Sequence, residues 1–241
     1  MGEISQFVSK AWKAYKKNAW SILIALILVN AIAVIPLGIG ILTTPLLLFS
    51  FPTFASLENL LASSTTLIIG ILLTLILSTL FRVSMLAFYQ ETLKKRARIK
   101  TIFLTLKRFW LEILVLNLIV DLILIAILGL LEVPALFFTK TNLKLAITWF
   151  LVALIPFFLI STFFTFSNFY LILKKRRILE SIGRSVRLVR KNYLQVLALV
   201  AIFAILGGLI SLIPYVGSLL TFFLIEPLQA LTFVAYFSRK G

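Results

Sequence analysis

The chain contains no cysteine and no histidine, and only eight of its 241 residues are acidic. Without cysteine there can be no disulfides and no thiolate chemistry, and without histidine the commonest general base and metal ligand is missing. The acidic residues are scattered and form no group with metal-ligand spacing. Gly38 and Gly40 form an isolated Gly-x-Gly, which does not predict a nucleotide-binding loop. We therefore expect no enzymatic activity, no metal and no cofactor.

What the chain has in abundance is apolar side chains. Hydrophobic residues make up 61% of the sequence and charged residues 13%, whereas soluble domains contain about 45–50% and about 25%, respectively. So few polar residues cannot cover a globule of this size, which predicts an all-α integral membrane protein. The net charge of +16 would suggest nucleic acid in a soluble protein. Here the basic residues flank hydrophobic runs, so we expect anionic lipid headgroups and no nucleic acid as partners.

Six runs are long enough to cross a bilayer, since a span needs about 20 apolar residues. The predicted spans are 19–41, 66–89, 110–132, 146–172, 193–213 and 218–238. The segment 42–64 contains Pro45, Pro52 and a Ser/Thr-rich end, which favours an outer loop or a short re-entrant segment. We treat residues 1–241 as a single membrane domain.

The basic residues orient these spans. Twenty-one of the 24 Lys and Arg lie within 10–17, 94–108, 174–191 and 239–240. With six spans, all four stretches fall on one side, and the outer loops carry only Lys140 and Lys144. The positive-inside rule then predicts that both termini are cytoplasmic in a multi-pass protein of the plasma membrane.

The sequence also contains three related units, roughly 1–90, 91–173 and 174–241. Segments 12–23, 103–114 and 186–197 align so that Lys16-Lys17, Lys107-Arg108 and Arg190-Lys191 fall in register. Each unit reads as a basic amphipathic helix, a span, a loop and a returning span. Three units with even span numbers share one orientation, which predicts parallel repeats about a pseudo-threefold axis. Generic patterning of a membrane protein is the alternative.

The amphipathic helices place apolar residues at helical spacing and basic residues opposite. Such helices lie in the membrane interface and attract anionic lipid, although simple anchoring of the following span explains the same pattern. The lipid-headgroup candidates are Lys16, Lys17, Lys107, Arg108, Arg184, Arg187, Arg190 and Lys191.

Polar residues within the spans form the second set of candidates, because each is costly in hydrocarbon. They are Arg82, Asp121, Glu226, Asn30 and Asn117. Asp121 and Glu226 lie near the predicted midplane, and an ion pair of Arg82 with either carboxylate would offset most of the cost. The alternatives are a polar pathway or substrate site between spans 2, 3 and 6, a salt bridge that fixes helix packing, and extension of Arg82 to the cytoplasm.

One stretch resembles a known family. Residues 181–193 (SIGRSVRLVRKNY) precede a span that ends in Ile213-Pro214, and Pro227-Leu228 and Ala235-Tyr236 follow in the last span. These features resemble the poorly characterised group that includes the membrane domain of glycerophosphoryl diester phosphodiesterases and its stand-alone archaeal relatives. The resemblance implies a membrane fold and location. The hydrolase half of the fused proteins is absent, so no phosphodiesterase activity and no functional residue is carried over.

We therefore expect a non-enzymatic membrane module that binds lipid or a partner protein. The partner can be a second copy of the same chain. The alternative is a small-solute or ion transporter that uses the intramembrane carboxylates. An intramembrane enzyme would need a polar cavity around both carboxylates.

Overall fold

The structure is a computed structural model. It describes residues 2–49, 57–94, 97–139, 142–214 and 216–241, without the side chains of 43–49, 57–63 and 136–139. The described elements are helical. In chain order they are α1 (Gly2–Phe49), α2 (Leu57–Lys94), α3 (Lys100–Thr139), α4 (Leu143–Ser161), a 3-10 turn (Thr162–Phe164), α5 (Ser167–Leu173), α6 (Ile178–Lys191), α7 (Tyr193–Ser211), α8 (Val216–Leu220), a π-turn (Thr221–Ile225) and α9 (Glu226–Lys240).

Six helical segments are long and apolar enough to cross a membrane. Five of them contain a predicted span in full, and Tyr193–Ser211 covers all but the last two residues of 193–213. The prediction of a helical protein with six apolar helices of membrane-spanning length is therefore confirmed for the described residues. Large apolar side chains on the outside of these helices, such as Leu130, Leu194 and Leu212, are three-quarters exposed. Hydrocarbon is the solvent in which such surfaces are stable, because the helices satisfy their own backbone hydrogen bonds.

The predicted outer loop over 42–64 is wrong at both ends. The helix α1 continues to Phe49 and α2 already begins at Leu57. An apolar membrane helix tolerates an internal proline such as Pro45, and residues 50–56, with Pro52, lie outside the described residues. The fourth predicted span, 146–172, lies within the candidate span Leu143–Leu173, in which the 3-10 turn Thr162–Phe164 separates α4 from α5.

The amphipathic segments also differ from one another. Asn18 interrupts α1 with φ −119° and ψ 21°, and Asn192 separates α6 from α7 with φ −129° and ψ 32°. Each asparagine amide donates to the carbonyl four residues earlier, at 3.1 Å. The aligned position in the second unit is Phe109, which lies inside an uninterrupted α3. The second amphipathic segment is therefore the first part of a span helix rather than a separate helix.

An aromatic cluster joins α5 to α9. The Phe166 ring packs against Phe169 at 5.2 Å, Tyr236 at 5.6 Å and Phe237 at 5.9 Å. From α1, Phe7 adds an edge contact to Tyr236 at 5.3 Å. These buried rings fix the first helix of the chain against the last.

Charged groups join α1 and α9 at the ends of these two helices. The Glu3 carboxylate lies 3.4 Å from Lys240 and 3.8 Å from Arg239. Gln195, near the start of α7, donates a hydrogen bond to the same carboxylate at 3.2 Å. Both chain termini therefore lie at one end of the bundle. That this end faces the cytoplasm stays a prediction.

The helices α1 and α2 approach each other closely where both carry glycine. A Cβ on Gly70 would lie 2.8 Å from the Pro36 carbonyl oxygen and 3.6 Å from the Cα of Gly40. Glycine at position 70 is therefore required by the backbone of the neighbouring helix.

Candidate functional site: an intramembrane cavity and a basic surface

A cavity of about 560 Å³ lies between α1, α2, the turn before α5, and α9. Three of the five predicted intramembrane polar residues line it, namely Asn30, Arg82 and Glu226. We call this volume the Arg82–Glu226 cavity. The rest of its lining is Leu26, Val29, Ser78, Met85, Leu86, Tyr89, Thr165, Phe169, Phe222, Gln229, Ala230 and Phe233. Its size falls in the range of about 300–1,000 Å³ that is typical of small-ligand sites.

Helical spacing brings these side chains to one place. From α2, the cavity receives residues 78, 82, 85, 86 and 89, and from α9 it receives 226, 229, 230 and 233. Steps of three and four residues put each set on one face of its helix. The cavity is therefore built from two amphipathic faces, each with one charged residue.

The backbone around Glu226 is irregular. The chain forms a π-turn at Thr221–Ile225, and the Glu226 N–H donates to the Thr221 carbonyl. Pro227 has no N–H, so the carbonyl of Phe223, four residues earlier, lacks its usual helical donor. The phenol of Tyr15 supplies that donor at 2.9 Å. Tyr15 of α1 thus stabilises the irregular backbone next to Glu226, whose side chain lines the cavity.

Arg82 and Glu226 are both exposed, although both lie within spans. Neither side chain has an oppositely charged atom within 4.0 Å among the described residues, so the ion pair considered from the sequence is not formed. Asn30 is half-buried, and its amide donates to the Leu26 carbonyl at 2.8 Å. Tyr89 lines the same cavity as Arg82 and Glu226.

Asp121 and Asn117 do not belong to this cavity. Asp121 is exposed on α3 and does not line it. Asn117 instead exchanges hydrogen bonds with Asn168 of α5, at 3.0 Å and 3.4 Å. The cavity lies between spans 1, 2, 4 and 6, and span 3 contributes no residue to its described lining. The substrate site expected between spans 2, 3 and 6 stays a prediction.

Sequence reasoning missed several cavity residues. Gln229 was detectable, because it lies three positions after Glu226 and shares its helix face. Tyr89 was detectable for the same reason, since it lies seven positions after Arg82. Thr165 and Phe169 were not, because only the break between α4 and α5 brings them to the cavity.

The second feature is the basic surface, which we define as the eight lipid-headgroup candidates on α1, α3 and α6. All eight side chains are exposed. Arg184 forms an ion pair with Glu180 at 2.8 Å, and Lys16 lies over the Trp12 ring at 5.5 Å. Apart from Arg184, all members of the basic surface lack a carboxylate within 4.0 Å in the part of the chain that the structure describes.

Buried hydrogen bonds hold α6 in place. The Ser185 hydroxyl donates to the Phe163 carbonyl at 2.7 Å and accepts from the Phe166 N–H at 3.1 Å. Leu188 and Val189 are buried on the same side of the helix. The apolar side of α6 is therefore used by the protein itself, and its basic side remains open.

The same division holds for the other two amphipathic segments. Phe7 and Ala11 of α1 and Ile102 of α3 are buried in the bundle. The expected burial of these apolar faces in lipid is thus replaced by contact with the protein.

Within the described ranges, no three acidic side chains converge on a point where they could hold a metal ion.

The comparisons with known proteins identify a domain without a described activity. A family model described as a domain of unknown function (DUF7847) matches residues 90–238, which include α3 to α9. No curated protein and no solved structure matches the chain. No named relative connects the chain with the membrane domain of glycerophosphoryl diester phosphodiesterases.

Proposed function

The chain belongs to the DUF7847 family, a domain of unknown function, and we propose that it is a non-enzymatic membrane protein whose basic surface binds anionic lipid headgroups. In this proposal both termini are cytoplasmic and the three units are parallel repeats. Kinship with the membrane domain of glycerophosphoryl diester phosphodiesterases also stays a prediction, based on residues 181–193.

The observation that supports lipid binding best is the way α6 is seated. Its apolar side is fixed by Ser185, Leu188 and Val189, whereas Arg187 and Arg190 are exposed and lack an ion-pair partner among the described residues. A helix that is already ordered loses little further freedom when it binds a ligand. Unpaired guanidinium groups on such a helix suit the phosphate of a lipid headgroup.

The test measures lipid binding by detergent-purified, full-length protein. Native mass spectrometry would follow titrations with phosphatidylglycerol and with diacylglycerol, which carries no charge. We expect wild-type protein to prefer phosphatidylglycerol, and each charge removed at Arg187, Arg190 and Lys191 to weaken its binding about fivefold, since one basic residue contributes about 1 kcal/mol at an anionic surface. Raised salt would reduce the preference.

Arg184→Gln is the matched control on the same helix. Glu180 already neutralises Arg184, so its loss should weaken phosphatidylglycerol binding less than Arg187→Gln does. Equal affinity for the two lipids in wild-type protein, or unchanged binding after Arg187→Gln, Arg190→Gln and Lys191→Gln are combined, would contradict the proposal.

Transport of a small solute or ion is a second candidate, and the Arg82–Glu226 cavity favours it. This cavity supplies a carboxylate within a span, and its described lining includes no second one. A transporter that uses it should lose flux in proteoliposomes after Glu226→Gln and keep flux after Asp121→Asn. Absence of any flux of ions, amino acids or sugars from wild-type proteoliposomes would remove this candidate.

A further inference from the structure

We propose that the Arg82–Glu226 cavity binds a zwitterionic amphiphile, with its anionic group at Arg82 and its cationic group at Glu226. The proposal concerns a site that is separate from the basic surface and does not depend on it. Three properties of the cavity carry the argument, namely its two unpaired charges, its net neutrality and its apolar walls.

The two charges face one volume without neutralising each other. No acidic oxygen lies within 4.0 Å of the Arg82 guanidinium, and no basic nitrogen lies within 4.0 Å of the Glu226 carboxylate, among the described residues. Charged groups within a span are costly unless something compensates them. A ligand that places opposite charges against each of them supplies that compensation.

The balance of charge selects the class of ligand. The described lining carries one cation and one anion, and its other polar members, such as Asn30, Tyr89 and Gln229, are neutral. A simple anion at Arg82 would meet the Glu226 carboxylate, and a simple cation at Glu226 would meet the guanidinium. A zwitterion meets an opposite charge at both ends, so this arrangement discriminates against ligands of either net charge.

The two ends of the site have different chemistry. A guanidinium offers a planar fork of donors that matches the oxygens of a phosphodiester. Glu226 shares the cavity with the aromatic side chains of Tyr89, Phe222 and Phe233, and aromatic faces together with a carboxylate attract an ammonium group. The orientation of the bound zwitterion therefore follows from the charges of Arg82 and Glu226, and the aromatic side chains add to the attraction for its ammonium group.

The apolar walls indicate that the ligand has an apolar part. Leu26, Val29, Met85 and Leu86 line the cavity beside the charged pair. A small polar zwitterion would leave these side chains without apolar contacts, whereas an amphiphile would cover them. Because the cavity lies within the spans, a phospholipid with an ammonium-bearing headgroup has the matching chemistry.

The experiment uses detergent-purified, full-length protein and short-chain lipid probes that share the same two acyl chains. The probes are dihexanoyl phosphatidylethanolamine, dihexanoyl phosphatidylglycerol and dihexanoyl glycerol, and binding is measured by native mass spectrometry. To remove headgroup binding by α6, these probes are compared on the full-length protein with Arg187→Gln, Arg190→Gln and Lys191→Gln combined, and the variants below are made in that background. This protein should bind the ethanolamine lipid at least about tenfold more tightly than either other probe, because both charged groups of the cavity contribute charge-assisted hydrogen bonds. Soluble glycerophosphoethanolamine, which lacks the chains, should bind more weakly than the lipid.

Two variants then separate the roles of the charges. Glu226→Gln should weaken the ethanolamine lipid about tenfold and reverse or abolish its preference over phosphatidylglycerol, because Arg82 remains. Arg82→Gln should weaken both phospholipids. Asp121→Asn is the matched control, since it removes a carboxylate from a span without touching the cavity, and it should change neither affinity.

Several outcomes would overturn the proposal. If the protein without the three α6 charges binds the three lipid probes equally, or the soluble headgroup as tightly as the lipid, a zwitterionic amphiphile is excluded. The same conclusion follows if Glu226→Gln in that background keeps the preference for the ethanolamine lipid. Arg187, Arg190 and Lys191 are exposed and do not line the cavity, so failure here is distinguishable from failure of headgroup binding by α6.

Discussion

The Tyr15 phenol lies 2.9 Å from the main-chain oxygen of Phe223 and donates a hydrogen bond to it. The two residues come from opposite ends of the chain, in α1 and in the π-turn before α9. Pro227 creates the need for this bond, because it removes the helical donor to the Phe223 carbonyl. The shape of the backbone beside Glu226 thus depends on a side chain from the first helix.

Tyr15→Phe should therefore destabilise the protein by about 1–3 kcal/mol, the usual cost of leaving a buried hydrogen-bonding group without its partner. Unfolding in detergent, followed by circular dichroism, measures this loss. In a Pro227→Ala background residue 227 regains an N–H, and the cost of Tyr15→Phe should become small. The same loss in both backgrounds would show that Pro227 and Tyr15 do not act on the same carbonyl.

The Asn117–Asn168 pair gives a prediction about packing between α3 and α5. Asn117→Leu should cost about 0.5–2 kcal/mol, because the Asn168 amide loses its partner in an apolar setting. Replacing both residues by leucine should cost less than the sum of the two single changes. Strict additivity of the two unfolding free energies would indicate that the amides do not interact.

Gly70→Ala should destabilise the contact between α1 and α2 by about 1–3 kcal/mol, since the added methyl group meets the Pro36 carbonyl oxygen. Gly129→Ala is the matched control, because no atom lies within 4 Å of its added Cβ and alanine favours a helix by about 1 kcal/mol over glycine. Unfolding of the purified variants measures both effects. If Gly70→Ala leaves the free energy of unfolding unchanged, α1 and α2 can separate at this contact without cost.

The absence of cysteine makes the predicted orientation directly testable, since a single introduced cysteine reacts without background. Gly183→Cys and Arg98→Cys lie at the basic end, and Leu143→Cys and Leu212→Cys lie at helix ends away from it. All four positions are exposed. We expect a membrane-impermeant maleimide to label the last two in intact cells and the first two only after lysis. Labelling of Arg98→Cys in intact cells would show that the predicted orientation is wrong.

The sequence was sufficient for the spans because their signal is strong and local. A helix in hydrocarbon needs a continuous run of apolar residues, and such runs are directly visible in the sequence. The breaks were harder to find. Asn18 and Asn192 occupy aligned positions and share one backbone conformation and one type of hydrogen bond, whereas Phe109 continues a helix, so the same alignment has two structural outcomes.

The candidate site was partly predictable for a related reason. Polar residues within spans are rare enough to identify Arg82, Glu226 and Asn30 without a structure. Which of them meet depends on the packing of helices that are distant in sequence, and the sequence contains no signal for it. Asp121 and Asn117 had equal standing on the sequence, but α3 directs one to the exterior and the other to Asn168.

The contact between Glu3 and Lys240 has a consequence for biosynthesis. The ribosome makes α1 first and α9 last, yet Phe7 and Tyr15 find their neighbours on α9 and the π-turn. One side of α1 must therefore stay uncovered in the membrane until α9 has been synthesised. Closure of the bundle follows that step, and a nascent chain that stops before residue 216 lacks the helix that completes it.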